Sequence, residues 1–406
     1  MKLLFLVYYF PPEIGSGPHL PYELGESLVR RGHEVTVVAG FPHYHVPVMP
    51  PQYRRRFLFA EEMGGMKVLR INVPSPYTRS KVVRGLAQQI APWMLAMRAW
   101  GVEKPDLVFA MTPPLVMGLA ACRVARHFEV PCVVNVQDLF PQAAVDLGLM
   151  HNRMLIRFFE TLERRLYRKA DAITVMSDGN GDYVVSKGAN RDKVSTVPNW
   201  VDTDLIQPEE MMNSFRAEHQ LGDQFVVLFA GTMGWSQGLG VVVDAARLLA
   251  AEPNLLFLFV GEGMELAEMQ RRSADLSNVR FLPIQPKAVY PKVLAAANAA
   301  LVTLRPEVAT PTVPSKISTI MAAGRPILAS IPLDGDAPRL IEKAEAGIIV
   351  PAGDARALAD AVLALKNDPR RARRMGERGR AYAEQRLARE VCVTYNEAVF
   401  RQLTAR

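Results

Sequence analysis

The stretch "FVVLFAGTMGWSQGLGVVVDAARLLAA", Phe225–Ala251, changes character twice. Phe225–Ala230 is apolar without alternation, as in a strand covered on both faces. Gly231, Gly234 and Gly238 then punctuate a turn, and Gly240–Ala251 has a helical pattern. Strand, glycine turn and helix form the repeating unit of a doubly wound α/β sheet.

The unit recurs in both directions. Further strands are expected at Leu255–Val260, Val279–Leu282, Ala299–Thr303, Ile327–Ser330 and Gly347–Val350, with helices over Met264–Leu276 and Ala288–Ala296. On the N-terminal side, Leu3–Tyr8, Glu34–Ala39, Lys67–Asn72, Leu107–Ala110, Cys132–Asn135, Ala172–Val175 and Val194–Val197 read the same way. The Pro- and Asn-punctuated "VPNWVDTDLIQPEE", Val197–Glu210, reads as a linker. Two Rossmann-like domains follow, 1–200 and 201–385. The Arg-rich helical tail is too long for the second domain alone, so residues 386–406 are expected to pack back on the first. Ligands of such sheets bind at the carboxyl ends of strands, so the main site is expected in a cleft between facing domains.

The chain has 406 residues and a net charge of +7. Residues 1–200 hold 24 Lys and Arg against 17 Asp and Glu; residues 201–406 hold 24 of each. A basic first half suits an anionic partner such as a membrane surface or phosphorylated substrate. Cys122, Cys132 and Cys392 stand in apolar context and read as thiols of a reducing compartment. "MKLLFLVYYFPPEIG" reads as a first buried strand rather than a signal peptide, and no run is long and apolar enough to span a membrane.

Several βα turns carry groups suited to an anion. Gly15, Ser16 and Gly17 precede a helix; Leu20 replaces the third glycine of a dinucleotide fingerprint, and no acid follows the second strand. Gly231, Gly261 and Gly263 follow two strands of the second half, and "VPSK" puts Ser315 and Lys316 at a helix N-terminus. Together they point to a nucleotide diphosphate.

The blocks "GSGPHLPYELGESLVRRGHEVTVV", "QDLFPQAAVDLGL", "ADAITVMSDG", "VPNWVDTDLIQP", "FAGTMGWSQGLGVVVDAARLL", "FVGEG" and "VPSKISTIMAAGRPILAS" resemble, in order, a retaining glycosyltransferase of family 4 with the GT-B fold. The chain is especially similar to bacterial O-antigen and capsule enzymes of the L-fucosamine-transferase type. The resemblance implies that Gly15, Ser16 and Gly17 face the donor and that Gly231, Thr232, Ser315 and Lys316 meet its diphosphate; His19 stands next to the first glycine loop, in place to touch the donor. It implies that Gly261 and Glu262 hold the nucleoside, that main chain near Leu282 and Pro283 reads the base, and that Asp138 is a polar anchor from the first domain. Lys316, Arg305 and Asp138 are the expected catalytic residues. Two family glutamates are missing: Pro311 and Thr319 stand in their places, and Thr232 and Gln237 replace a usual Arg and Lys.

The expected donor is a nucleotide sugar, UDP-linked, and the expected acceptor a polyprenyl-diphosphate-linked or free glycan, with no nucleic acid involved. The location implied is cytoplasmic, at an anionic inner membrane met through Arg54–Arg56, "RGLAQQIAPWMLAMRAW" and "RMLIRFFETLERRLYRKA". Asp202 and Asp204 in "VDTD" read as a turn, and His43 with His45 lacks a third ligand, so neither a metal nor a cofactor is expected. A nucleotide-sugar 2-epimerase and a non-catalytic binding protein of the same fold remain the alternatives.

Overall fold

The computed structural model of the chain describes residues 1–13, 16–43, 49–74, 81–146, 148–308, 311 and 313–405. They divide into two compact units, Met1–Pro198 with Cys392–Arg406, and Asn199–Val391.

Among the described residues the first unit has eight strands: β1 (Lys2–Leu6), β2 (Glu34–Gly40), β3 (Leu58–Met63), β4 (Met66–Ile71), β5 (Leu107–Thr112), β6 (Cys132–Val136), β7 (Ala172–Val175) and β8 (Val194–Thr196). Their order is β3-β4-β2-β1-β5-β6-β7-β8. The sheet is packed by α1 (Ser16–Arg30), α2 (Lys81–Ala99), α3 (Leu115–Phe128), α4 (Gln142–Asp146), α5 (Arg153–Lys169) and α6 (Asp178–Ser186). The second unit begins with α7 (Ser214–Glu218). Its sheet holds β9 (Phe225–Ala230), β10 (Leu255–Val260), β11 (Val279–Leu282), β12 (Ala299–Thr303), β13 (Ile327–Ile331) and β14 (Gly347–Pro351), ordered β11-β10-β9-β12-β13-β14. Between and after them run α8 (Gly240–Leu248), α9 (Leu266–Arg272), α10 (Tyr290–Ala295), α11 (Ser315–Ala322), α12 (Asp336–Lys343), α13 (Ala355–Asn367) and α14 (Pro369–Tyr382).

Every strand of the second sheet pairs in parallel. Helices on both faces bury β6, β7, β10, β12 and β13 along their whole length, which is why their sequences lack alternation. The first sheet has an antiparallel edge, β3, that no apolar run marks in the sequence. Its "LFAEEM" alternates exposed and half-buried residues, as an edge strand does. Gly64 and Gly65, at φ of 57° and 74°, make the tight hairpin to β4. The second-unit helices α8, α9 and α10 are shorter than expected because flanking residues serve loops: the Glu265 N–H bonds the Met233 carbonyl at 3.0 Å.

After α14 a single π-turn, Ala383–Leu387, ends at Ala388 in extended geometry. Val201 brackets this break, donating to the Leu387 carbonyl (2.9 Å) and accepting from the Arg389 N–H (3.2 Å). The last helix, α15 (Arg389–Thr404), belongs to the first unit from Cys392 onward. There Phe400 lies 5.7 Å from the Phe109 ring, and Glu397 meets Arg31 at 2.9 Å and His33 at 3.0 Å. Burial pushes the Glu397 pKa up, but hydrogen bonds from Arg31, His33 and Arg401 win and pull it down to about 2. A depressed carboxylate stabilises the fold above its ordinary value of 4.5 and loses that contribution as pH falls towards 2. Glu397→Gln should therefore cost about 1–3 kcal/mol at pH 7. Chemical denaturation at pH 7 and pH 3 should show the gap between parent and variant narrowing in acid.

Candidate functional site

At the carboxyl edge of the second sheet, the turns after β9 and β10 stack backbone on backbone. Gly231, Gly261 and Gly263 take φ of 130°, 148° and 151°, a region side chains disfavour. A Cβ on Gly261 would fall 2.1 Å from the Gly231 carbonyl oxygen, and one on Gly263 2.4 Å from that of Met233. Hydrogen bonds lock the stack: Gly231 N–H to Val260 O (2.9 Å), Met233 N–H to Glu262 O (2.8 Å) and Gly261 N–H to Leu282 O (3.1 Å).

Lys316 enters this stack from α11. Pro314 sets the helix start and no side chain caps it; the Ile317 N–H turns back to the Pro314 carbonyl (3.0 Å), and the positive end of the helix is left without a side-chain acceptor. The Lys316 stem crosses the Gly231 turn, where a Cβ would come within 2.8 Å of Cε. Its ammonium sits 4.0 Å from the Phe229 ring centroid and donates to Gln237 Oε1 at 2.7 Å. Burial lowers its pKa from 10.5 to about 8. That difference disfavours the charged form by about 3 kcal/mol. The cation is thus mostly kept at neutral pH, poorly solvated and, among the described residues, paired with no carboxylate.

The other expected residues divide. Ser315, Thr232 and Glu262 are exposed around the turn, and the Thr319 hydroxyl donates back to the Ser315 carbonyl at 3.0 Å. Arg305 departs from the expected role. Its guanidinium bonds Glu265 Oε1 (2.8 Å) and the Trp235 carbonyl (2.6 Å) and stacks 4.5 Å from the Trp235 ring. It ties the Gly231–Gly238 turn to α9 rather than offering its charge outward. Main chain near the base-reading position is also engaged: Leu282 O accepts from Gly261, and Pro283 O accepts from Gln285 Nε2 at 2.9 Å. Sequence reasoning missed Phe229 and Glu265. Phe229 is one apolar residue among six in β9, and only the fold sets Lys316 over its ring.

In the first unit, Ser16 begins α1, and Gly17 follows where a Cβ would lie 3.6 Å from Tyr9. Gly15 lies outside the described residues, as does His45. His19 is half-buried in the first turns of the same helix. Asp138 stands two residues past β6 at the carboxyl edge of its sheet. Its side chain is exposed, yet surrounding protein desolvates the carboxyl and raises its pKa; water access limits that rise. Arg70, fully buried, organises the nearby loops: it donates to the Gly40 carbonyl at 3.1 Å, meets the Pro11 carbonyl and Glu61, and lies 5.3 Å from the Tyr53 ring. Glu13 accepts from the Phe10 and His43 backbones at 3.0 and 2.8 Å. Among the described residues no three His, Cys, Asp or Glu side chains gather as a metal site. Asp202 Oδ1 accepts from the Asp204 and Leu205 N–H groups, making a turn.

Family models match both units: "Glycosyl transferase 4-like domain" over residues 15–200 and "Glycosyl transferases group 1" over 224–368. The chain is 26% identical to WcaI of Escherichia coli K12, a glycosyl transferase assigned to colanic acid biosynthesis, over 80% of this chain and 82% of that protein. It is 26% identical to a GDP-mannose-dependent alpha-mannosyltransferase of Mycobacterium tuberculosis, over 91% and 89%. Among solved structures it is similar to Anabaena HepE in complex with UDP, with a TM-score of 0.72, 18% identity and coverage of 99% and 100%.

The glycine stack separates two substitutions. Gly261→Ala drives a methyl into backbone and should cost about 3 kcal/mol or more. Gly231→Ala meets only the flexible Lys316 stem apart from its own strained φ, so it should lose less stability but displace the ammonium from Gln237. Thermal unfolding with a nucleoside diphosphate titration of each variant checks both.

Proposed function

We propose that this chain, which belongs to the family 4 type of GT-B glycosyltransferases, moves a sugar with retention from a nucleotide diphosphate to a glycan acceptor. Its role in glycan synthesis comes with the family; the donor, acceptor and mechanism are our reading. The observation that carries it is the Lys316 ammonium, desolvated at an uncapped helix N-terminus and against a glycine turn that lets phosphate approach the backbone.

Breaking the sugar–phosphate bond leaves negative charge on the diphosphate and an oxocarbenium-like sugar. Lys316 and the N–H groups of α11 stabilise that charge where it develops. They provide it without a metal ion, so transfer should persist in EDTA. Arg305, with Glu265, holds the Trp235 turn in shape. The N-terminus of α1, at Ser16 and Gly17, is a second end favouring anions, and Asp138 is a polar anchor for the reacting sugars. Ser315 and Thr319 line the donor face of α11.

The donor in this reading is UDP carrying an N-acetylated amino or deoxy-amino sugar. The acceptor is a lipid-linked or oligosaccharide chain of a bacterial surface polysaccharide such as O-antigen, met at the cytoplasmic face of an anionic membrane. A second reading, GDP-mannose, is favoured by the mycobacterial relative named for that donor. Thermal shifts with UDP and GDP decide between them: the binding base should raise the melting temperature at concentrations where the other does not.

Lys316→Ala should lower turnover about 100-fold or more, whereas Thr319→Ala should change donor preference more than rate. Near-normal turnover of Lys316→Ala would remove the basis of the reading. A bound diphosphate favours the protonated lysine, so affinity should hold below pH 8 and fall as pH rises through it. Calorimetry in buffers of different ionisation enthalpy should find little proton uptake at pH 7, uptake approaching one proton near pH 9, and none with Lys316→Arg.

A further inference from the structure

The first unit carries a second concave site, apart from the loops at the carboxyl edge of its sheet. A cavity of about 420 Å³ opens between α2, α3 and α5, within the roughly 300–1,000 Å³ of small-ligand sites. Trp93, Leu119 and Phe158 line one part of it, with Trp93 and Phe158 43% and 52% exposed. Large apolar side chains left this open commonly mark a binding surface. Arg123 and Arg126 from the end of α3, and Arg165 and Lys169 from the end of α5, line the other part.

These four cations are uncompensated. None has a carboxylate partner among the described residues. The acids of α5 are engaged elsewhere: Glu160 with Lys187 at 3.1 Å and Arg164 at 3.7 Å, and buried Glu163 with Tyr167 at 3.1 Å. Burial first, then the nearby Arg165, Arg126 and Arg123, push the Lys169 pKa down, while Cys122 pulls it up.

We propose that this groove holds one anionic phospholipid of the bilayer, an acyl chain against Trp93, Leu119 and Phe158 and the phosphate on Arg123, Arg126, Arg165 and Lys169. The proposal rests on the membrane contact in our functional reading and gives it a discrete site. Charge complementarity and the adjoining apolar wall together select an amphiphile over a free anion. Topology separates this lipid from an acceptor. α3 leaves the carboxyl end of β5 and α5 leads into the amino end of β7, so both basic ends lie at the amino edge of the sheet. Gly17 and Asp138 belong to the opposite edge.

Titration calorimetry of the full chain with dodecyl phosphate below its micelle concentration tests this, with inorganic phosphate and dodecyl maltoside in parallel. Dodecyl phosphate should bind one to one, about tenfold or more tighter than either control. Arg165→Gln combined with Lys169→Gln, and separately Phe158→Ala, should each weaken it about tenfold, with the nucleotide thermal shift unchanged as the measure of folding. Equal binding of inorganic phosphate, or a double variant that binds like the parent, overturns the groove. Sedimentation with phosphatidylcholine vesicles, with and without phosphatidylglycerol, separates this failure from that of the wider reading. A double variant that still sediments like the parent on anionic vesicles and still binds dodecyl phosphate leaves membrane contact standing and removes the groove. A parent that binds dodecyl phosphate but never sediments removes the bilayer as the source of the lipid and overturns the proposal.

Discussion

The approach of Gly261 to the Gly231 carbonyl is the contact on which the candidate site depends. No side chain fits there, because a methyl at 2.1 Å from that oxygen would part the two turns. Their contact lets the β9, β10 and β11 ends share hydrogen bonds across one edge. The Lys316 stem lies against the Gly231 turn, where a Cβ would come within 2.8 Å of Cε, and its ammonium stands over the Phe229 ring. The bare backbone of that glycine therefore sets how a cation contributed from beyond β12 is packed.

The first unit meets a related demand with a different device. Its carboxyl-edge loops carry Pro-rich segments such as Pro11-Pro12 and Pro113-Pro114. A buried arginine holds them instead: Arg70 reaches the Pro11 and Gly40 carbonyls while Glu61 balances its charge. Leaving that guanidinium without Glu61 would strand a charge in the core, a far larger penalty than any single loop contact. β3, which carries Glu61, is therefore more than an edge strand. It supplies the counter-ion that fixes the loop before α1.

The sequence made the fold legible because parallel strands covered on both faces must be apolar throughout. β7, β9, β10 and β12 have the bounds that their apolar runs suggest. β3 escaped for the opposite reason, since an edge strand of alternating Phe, Ala and Glu has no such run, and only Gly64-Gly65 hints at its hairpin. The tail reads in sequence only as too long for its domain, and nothing local marks Ala388, where the π-turn ends in extended geometry. At the site, Lys316 and the glycines stood out by type and position. The engagement of Arg305 did not, because Glu265 reaches it across 40 residues and nothing local marks the pair. The role of Gln237 was equally hidden: the family resemblance led us to expect a cation there, and only the fold shows its amide oxygen accepting from Lys316.

That hydrogen bond bears on the chemistry. A fully hydrated lysine would bind donor and leaving group with little discrimination, lowering both alike. Lys316 has given up water for one neutral acceptor and an aromatic face, so its charge is under-compensated before any ligand arrives. Such a cation gains most from the species with most negative charge nearby. In the reaction proposed here, charge on the diphosphate grows as the sugar bond breaks, so the gain is greatest at the transition state and for the departing nucleotide. The cost of burying the ammonium is met in folding, by the packing of the second unit, and need not be met again at each turnover. The same under-compensation should hold the nucleotide product tightly, which makes its release a natural candidate for the slow step once transfer is fast.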